Sequence, residues 1–294
     1  DYQVQPEYLN ELIPHFIDPM VAFVQTPQDY RDYKGNPFLE ACYDAYKYFF
    51  EVSMPSRNEH NAIIFCGTMG LIRKSVVQEI GGWDEWCITE DAEASLRILR
   101  LGYKSIYVNC AYGHGIMPLN FEGLKKQRFR WCFGGIQVLR KHWESLMPWA
   151  SWVDPTNKLT ASQRYYYLLS SLQWFNELLT MGFTMMLIIS SIAIMLGWNT
   201  GADLLVGAIA VVPLVFLILG LGRFLWALRY RLNLGWMRAL RAMGSFFSLS
   251  WVVTLASVQG LIQPRGIFLR TSKSKTDSNM LRALTVTQWK PGLG

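Results

Sequence analysis

The 294-residue sequence predicts an α/β layer, then amphipathic interface helices, then a transmembrane α-helical region. Three observations predict it. Short apolar runs alternate with helical periodicity up to Val108, a basic-flanked helical pattern occupies the middle, and long uncharged stretches fill the C-terminal part. The average composition, 51% hydrophobic and 17% charged, hides two unlike halves. Up to Trp152 charges, prolines and glycines interrupt every apolar run. After Tyr165 the runs lengthen and carry Trp, Tyr and Arg at their edges.

The α/β elements follow in chain order. Glu7 to Phe16 reads as a helix closed by Pro19, and Met20 to Gln25 as a buried strand that Thr26-Pro27-Gln28 turns out of. Phe38 to Val52 reads as an aromatic-rich helix and Ala62 to Cys66 as a second strand. Gly67-Thr68-Met69-Gly70 is a tight turn, where glycine permits backbone angles that other residues resist. Leu71 to Ile80 is a strand end and a helix, and Gly81 to Asp84 is another turn. Thr89 opens a helix to Leu101, with Ala92, Leu96 and Leu99 as its buried stripe; Tyr103 to Val108 is the third strand.

Leu178–Gly197, Leu204–Gly222 and Gly244–Gln263 each run roughly twenty residues without a charge, the length that crosses a hydrocarbon core. Three such runs so close together favour membrane spans over buried soluble helices. The start has no signal-peptide pattern and no Met, so the sequence is expected to be a fragment. The net charge is +6, and basic residues cluster at Lys125, Lys126, Arg128, Arg130, Arg140, Lys141 and between Arg223 and Arg241. These flank the apolar runs and fit a membrane surface; no nucleic-acid motif accompanies them. Five scattered cysteines without a Cys-x-x-Cys pair argue against zinc and thiol redox chemistry and suit a reducing cytosol.

Three constellations carry chemistry, each with a plainer explanation beside it. Thr89-Glu90-Asp91 is a good helix start, with a capping threonine and acidic residues facing the helix dipole; it is also a place for a general-base carboxylate. Gln127, Arg130 and Trp131 share one helical face, continued by Gly134 and Val138. Phe129, Cys132, Phe133, Ile136, Leu139 and Trp143 form the opposite, apolar face. That helix is expected to lie in the membrane interface, apolar face down, presenting an arginine fork for a diphosphate and an indole plate for a sugar. Snorkelling arginines and a belt tryptophan would give the same pattern. Phe268 to Lys273 reads as a basic juxtamembrane tail.

Taken in order, Gln25-Thr26-Pro27, Phe65-Cys66-Gly67-Thr68, Thr89-Glu90-Asp91, Gln127-x-x-Arg130-Trp131 and Phe268-x-x-Thr271-x-Lys273 resemble the motif series of membrane-bound family 2 glycosyltransferases, the group of cellulose and hyaluronan synthases. The resemblance covers Asp1 to about Lys275. It implies the C-terminal part of a GT-A-like (nucleotide-diphospho-sugar transferase) domain over residues 1–120 and interface helices over 121–165. Transmembrane helices over 166–264 and a cytoplasmic gate-like segment and tail over 265–294 would follow. It implies an inverting transfer of a sugar, glucose or a related hexose, from a nucleotide-diphosphate donor such as a UDP-sugar to a glycan or lipid acceptor. The implied setting is the cytoplasmic face of the inner membrane. Asp91, within Thr89-Glu90-Asp91, would be the base; Gln127 and Arg130 would hold the diphosphate; Trp131 would stack on the acceptor. Phe65, Cys66, Gly67 and Thr68 would line the acceptor pocket, and Thr271 and Lys273 would sit on a mobile gate. A divalent cation, Mg or Mn, would steady the departing diphosphate, with Asp1 as a remnant of an Asp-x-Asp ligand pair. Two departures stand out: the first nucleotide-binding strands are missing, so this piece is expected to be inactive alone, and Arg270 replaces the valine of cellulose synthases, leaving the polymer open.

The arginine-rich 223–241 region should be cytoplasmic and 198–203 external, which orients the first two spans. A third crossing would then place Arg270 and Lys273 outside, against both their charge and the gate analogy. One more crossing, a re-entrant segment or a mistaken span each restores parity. Processive relatives thread product through the membrane, and Trp174, Trp251 and Phe246 would be path-lining residues here. The alternative function is a non-catalytic membrane transporter or scaffold, which requires no closeness between Asp91 and Trp131.

Overall fold

The computed structural model describes residues 2–197, 211, 215 and 218–266. Two three-stranded sheets organise the N-terminal layer. In one, β2 (Val21–Gln25) lies between β4 (Gly70–Ile72), antiparallel, and β5 (Lys104–Tyr107), parallel. In the other, β6 (Gly113–Gly115) lies between β1 (Gln3–Val4), antiparallel, and β3 (Asp29–Tyr30), parallel. All five residues of β2 are buried, as a continuous apolar run in a central strand should be.

Helices surround the sheets. α1 (Tyr8–Leu12) continues as a 3₁₀ turn, Ile13–Ile17. α2 (Pro37–Lys47) starts with Pro at its first position and an Asn36 side chain accepting from Phe38 and Leu39 N–H; it passes through a π-helical turn, Tyr48–Ser53, into α3 (Met54–Asn58). α4 (Lys74–Glu79), α5 (Glu90–Arg100) and the long α6 (Phe121–Leu146) follow. Then come α7 (Ala150–Val153), α8 (Ala161–Leu172), which opens with a Thr160–Gln163 capping box, and α9 (Phe175–Met195). Among the described residues the last two helices are α10 (Trp236–Phe247) and α11 (Ser250–Ile262).

One expected strand is not one. Ala62 to Cys66 is extended, but side chains instead of a ladder partner satisfy its backbone. Arg57 donates to the Ala62 carbonyl, Tyr167 to Ile63, while Phe65 and Cys66 N–H donate to Ser95 Oγ and Gln25 Oε1. An apolar run shows burial, not what pairs with it. On α5 the buried side is also broader than the Ala92-Leu96-Leu99 stripe: Glu93 and Ser95 are fully buried, whereas Ala92 is half-buried.

The apolar face of α6 meets protein. Cys132, Phe133 and Ile136 are buried at 1% exposure or less. Cys132 and Ile136 lie against α11, where Cys132 reaches the Val253 carbonyl and Ser257 Oγ and Gly260 sits against Ile136, while Phe133 sits against Gly266 just beyond it. Of that face, Trp143 stays exposed, as do Trp149 and Trp152 beyond it. The basic residues read as membrane flanks are engaged too. The Arg128 guanidinium lies over both Trp131 and Phe246, and Arg140 donates to the Gly260 and Gln263 carbonyls at the end of α11.

Among the described residues two stretches are long and apolar enough to cross a membrane, Phe175–Ala193 and Trp236–Ile262. Most of the expected Leu204–Gly222 span lies outside the described residues. α10 docks on α2, where Arg238 grips the buried Asp44 carboxylate through Nε at 3.0 Å and Nη2 at 2.7 Å. Arg238→Met leaves that carboxylate buried without a partner. Because the Arg238 side chain is 44% exposed, the expected loss is about 1–3 kcal/mol, below the range for a fully buried pair. Chemical denaturation checks it, and adding Asp44→Asn should recover most of the loss.

Candidate active site

The site grows from the end of β2. Gln25 is fully buried, and its carboxamide organises the next turn: Nε2 donates to the Thr26, Thr68 and Met69 carbonyls, while Oε1 accepts from Cys66 N–H. Thr26 adds a hydroxyl donation to Met69 O at 2.8 Å. One strand end thus shapes Phe65-Cys66-Gly67-Thr68. The turn needs positive φ at Gly67 (+72°) and Met69 (+55°). A Cβ on Gly67 would stand 2.9 Å from Asp91 Oδ2, so bare backbone touches the expected base.

Asp91 lies in the first turn of α5. The Thr89 hydroxyl does not cap that helix; it faces Cys87 Sγ at 3.5 Å, and the side chain packs against Gly134 of α6. The capping explanation for Thr89 therefore does not hold, and helix packing replaces it. Ser95 Oγ donates to the Asp91 carbonyl and accepts from Phe65 N–H, binding α5 to the turn. Burial pushes the Asp91 carboxyl up to about 6; the Ala92 N–H and the Arg130 guanidinium pull it down but do not offset the burial, and Glu90 adds to the rise. A carboxyl poised near 6 is suited to accept a proton at neutral pH.

On α6 the predicted polar face does point at the globular layer. Arg130 feels Asp91 and Glu90. Gln127 Oε1 accepts from Tyr46 OH, and the Trp131 ring meets the Tyr46 ring edge-on at 5.8 Å. A chain of contacts closes the circuit. Gln28 donates to the Cys66 carbonyl and Thr68 Oγ1, Tyr30 OH donates to Gln28 Oε1, and the Tyr30 ring lies 5.5 Å from Tyr46. These contacts tie the Phe65-Cys66-Gly67-Thr68 turn to Asp91 and, through Gln28, Tyr30 and Tyr46, to Gln127 and Trp131, with Arg130 near Asp91 and Glu90; the Phe65 side chain is in the core and Thr89 packs on Gly134.

Asp1, Thr271 and Lys273 lie outside the described residues. Among the described residues no three His, Cys, Asp or Glu side chains converge on a metal position. Trp174 packs its indole against Gly135, so helix packing accounts for it, whereas Trp251 is exposed. Sequence reasoning missed Gln28, Tyr30, Tyr46 and Gln137. Only Gln137 carried a signal, recurring at helical spacing with Arg130 and Gly134. It also missed an open cavity of about 590 Å³ lined by residues 29–34 and His114.

Residues 1–262 match the family described as Glycosyl transferase family group 2. Among curated proteins, the chain is 30% identical over 158 residues to a UDP-forming cellulose synthase catalytic subunit of Dictyostelium discoideum, covering 51% of this chain and 14% of that protein. It is 32% identical over 145 residues to a probable glucomannan 4-beta-mannosyltransferase 15 of Arabidopsis thaliana, covering 48% and 27%. Cellulose synthase 1 of Komagataeibacter xylinus is 29% identical over 129 residues, covering 42% and 8%. The alignments thus span a minor part of each relative. The match over nearly all of the described residues places this chain in the glycosyl transferase family group 2.

Proposed function

We infer that the chain supplies the acceptor side and the diphosphate grip of an inverting hexosyl transfer from a UDP-sugar to a glycan. One observation carries this: Asp91, lifted toward neutrality by burial, lies against the Gly67 turn and faces Arg130 across the gap between α5 and α6. In the proposed step Asp91 takes the acceptor hydroxyl proton as that oxygen attacks the anomeric carbon. The bond to the diphosphate breaks with its electron pair on phosphate oxygen, and Arg130 and Gln127 hold the departing group. Divalent metal dependence is general in the family; the described residues hold no cluster for one, and no step here is routed through it.

Arg128 covers one side of the Trp131 ring, so acceptor stacking is assigned to the other. Trp131→Ala should raise acceptor KM roughly tenfold and leave UDP inhibition unchanged, as expected for loss of an aromatic contact worth about 1 kcal/mol. Transfer of labelled hexose from UDP-sugars by the complete gene product tests the whole reading; failure with every UDP-hexose would sink it.

The reading also favours two crossings over three. α11 runs parallel alongside α6, with Phe246 at the end of α10 leading into it: Arg128 meets Phe246, Cys132 meets Val253 and Ser257, Ile136 meets Gly260, and Arg140 reaches Gln263. If α11 crossed a bilayer, α6 would cross with it, carrying Gln127 and Arg130 away from Asp91. A segment lying along the membrane face restores the parity of the crossings.

A further inference from the structure

We propose that Gln137 is a positioning residue that sets the register of the Asp91 helix against the diphosphate-binding helix. The inference rests on the hexosyl-transfer reading above. Trp86 to Ile88, the three residues leading into Thr89-Glu90-Asp91, belong to no helix or strand. Their position is therefore set by what they touch. Gln137 is 3% exposed, and its carboxamide holds both ends of this segment: Oε1 accepts from Ile88 N–H at 3.1 Å, and Nε2 donates to the Trp86 carbonyl at 2.9 Å. A carboxamide supplies a donor and an acceptor side by side at the end of one side chain. A carboxylate only accepts, and a thioether of the same length supplies neither strong bond.

The placement on α6 gives the clamp its reach. Arg130, Gly134 and Gln137 fall on one helical face, and the seven-residue separation of Arg130 and Gln137 spans about 10 Å of rigid helix. The same helix thus carries the guanidinium that faces Asp91 and the group that anchors the loop before Asp91. Successive turns reinforce the alignment. Gly134 meets Thr89, Gln137 holds Trp86 and Ile88, and His142 Nε2 meets the fully buried Glu93 Oε1 at 2.7 Å. Glu93 Oε2 in turn accepts from Arg97 Nε at 2.8 Å, and Arg97 donates to the Gly82 carbonyl at 2.9 Å, closing the loop from its other side. Apolar packing alone tolerates small sliding, whereas paired hydrogen bonds of opposite polarity define one position along the helix. Misplacement by about 1 Å costs on the order of a hundredfold in rate.

The test uses Gln137→Met in the complete gene product, with wild type and Asp91→Asn alongside. The expected result is a fall in kcat of about 10–100-fold with the UDP inhibition constant within about threefold of wild type, the signature of lost alignment with the diphosphate grip intact. Hydrogen exchange should rise in a peptide covering residues 84–90 and stay unchanged over 94–100. Gln137→Asn serves where the Met variant does not fold: it keeps both polarities one methylene short, and the same kcat fall is expected. Unchanged kcat in a folded variant, or an equal loss of kcat and UDP binding, overturns the positioning role. Wild-type transfer abolished by Asp91→Asn but untouched by Gln137→Met sinks this inference alone. No transfer by wild type sinks the functional reading instead.

Discussion

Asp91→Asn should lower transfer by roughly 10²–10⁴-fold, the usual worth of a positioned general base, while UDP still binds. The wild-type rate should rise with pH through about 6, where burial has moved the Asp91 carboxyl, and the residual rate of the Asn variant should lack that limb. The same substitution should stabilise the protein. The folded carboxyl titrates near 6 against an ordinary 3.8, so the folded state holds its proton more tightly than the unfolded state. Stability therefore falls as pH rises from 4 to 6 and stays lower above that. Removing the charge recovers up to about 3 kcal/mol at pH 8 and nothing near pH 3. Denaturation at the two pH values checks the sign; an Asn variant less stable at pH 8 would remove the account of why this carboxyl is poised near neutrality.

Gly134→Ala is the second large effect. The added methyl would stand 2.3 Å from Thr89 Oγ1, 2.5 Å from its Cγ2 and 2.9 Å from its Cβ. Rotating the threonine relieves the first two contacts but not the third, so α5 and α6 must separate. Overpacking of this kind costs about 1–3 kcal/mol. Separating the base from the diphosphate grip by a fraction of an ångström should also cost about tenfold to a hundredfold in kcat. Thr89→Gly in the same chain opens the space and should recover both stability and rate; an unchanged double variant would show that the helix contact is not the cause. Gly67 lets backbone come close to Asp91, and Gly134 does the same for Thr89 two residues before it.

How much of this was legible beforehand depended on the kind of signal. The Val21–Gln25 strand and the helix after Thr89 announce themselves by apolar run and periodicity, and both lie where those patterns put them. Ala62 to Cys66 has the same apolar signature as a strand, yet its partners are Arg57, Ser95, Gln25 and Tyr167, which no periodicity encodes. The outer stripe of α6 was legible as apolar, but hydrophobicity cannot distinguish lipid from another helix; α11 supplies the cover. Asp91, Arg130 and Trp131 were legible because the motifs occur in order. Gln28 and Tyr46 were not, because a glutamine or tyrosine acquires its role only from neighbours brought in by the fold, and Gln137 showed only its helical spacing with Arg130 and Gly134.

The cover on α6 has a consequence for synthesis. Cys132 meets Ser257 across a separation of 125 residues. At about 5–20 residues per second, the α6 stripe stays bare for on the order of ten seconds after it leaves the ribosome. The α6 stripe is therefore covered only once α11 has been made. Until then, Cys132, Phe133 and Ile136 present a sticky strip that a chaperone or the bilayer surface must shield.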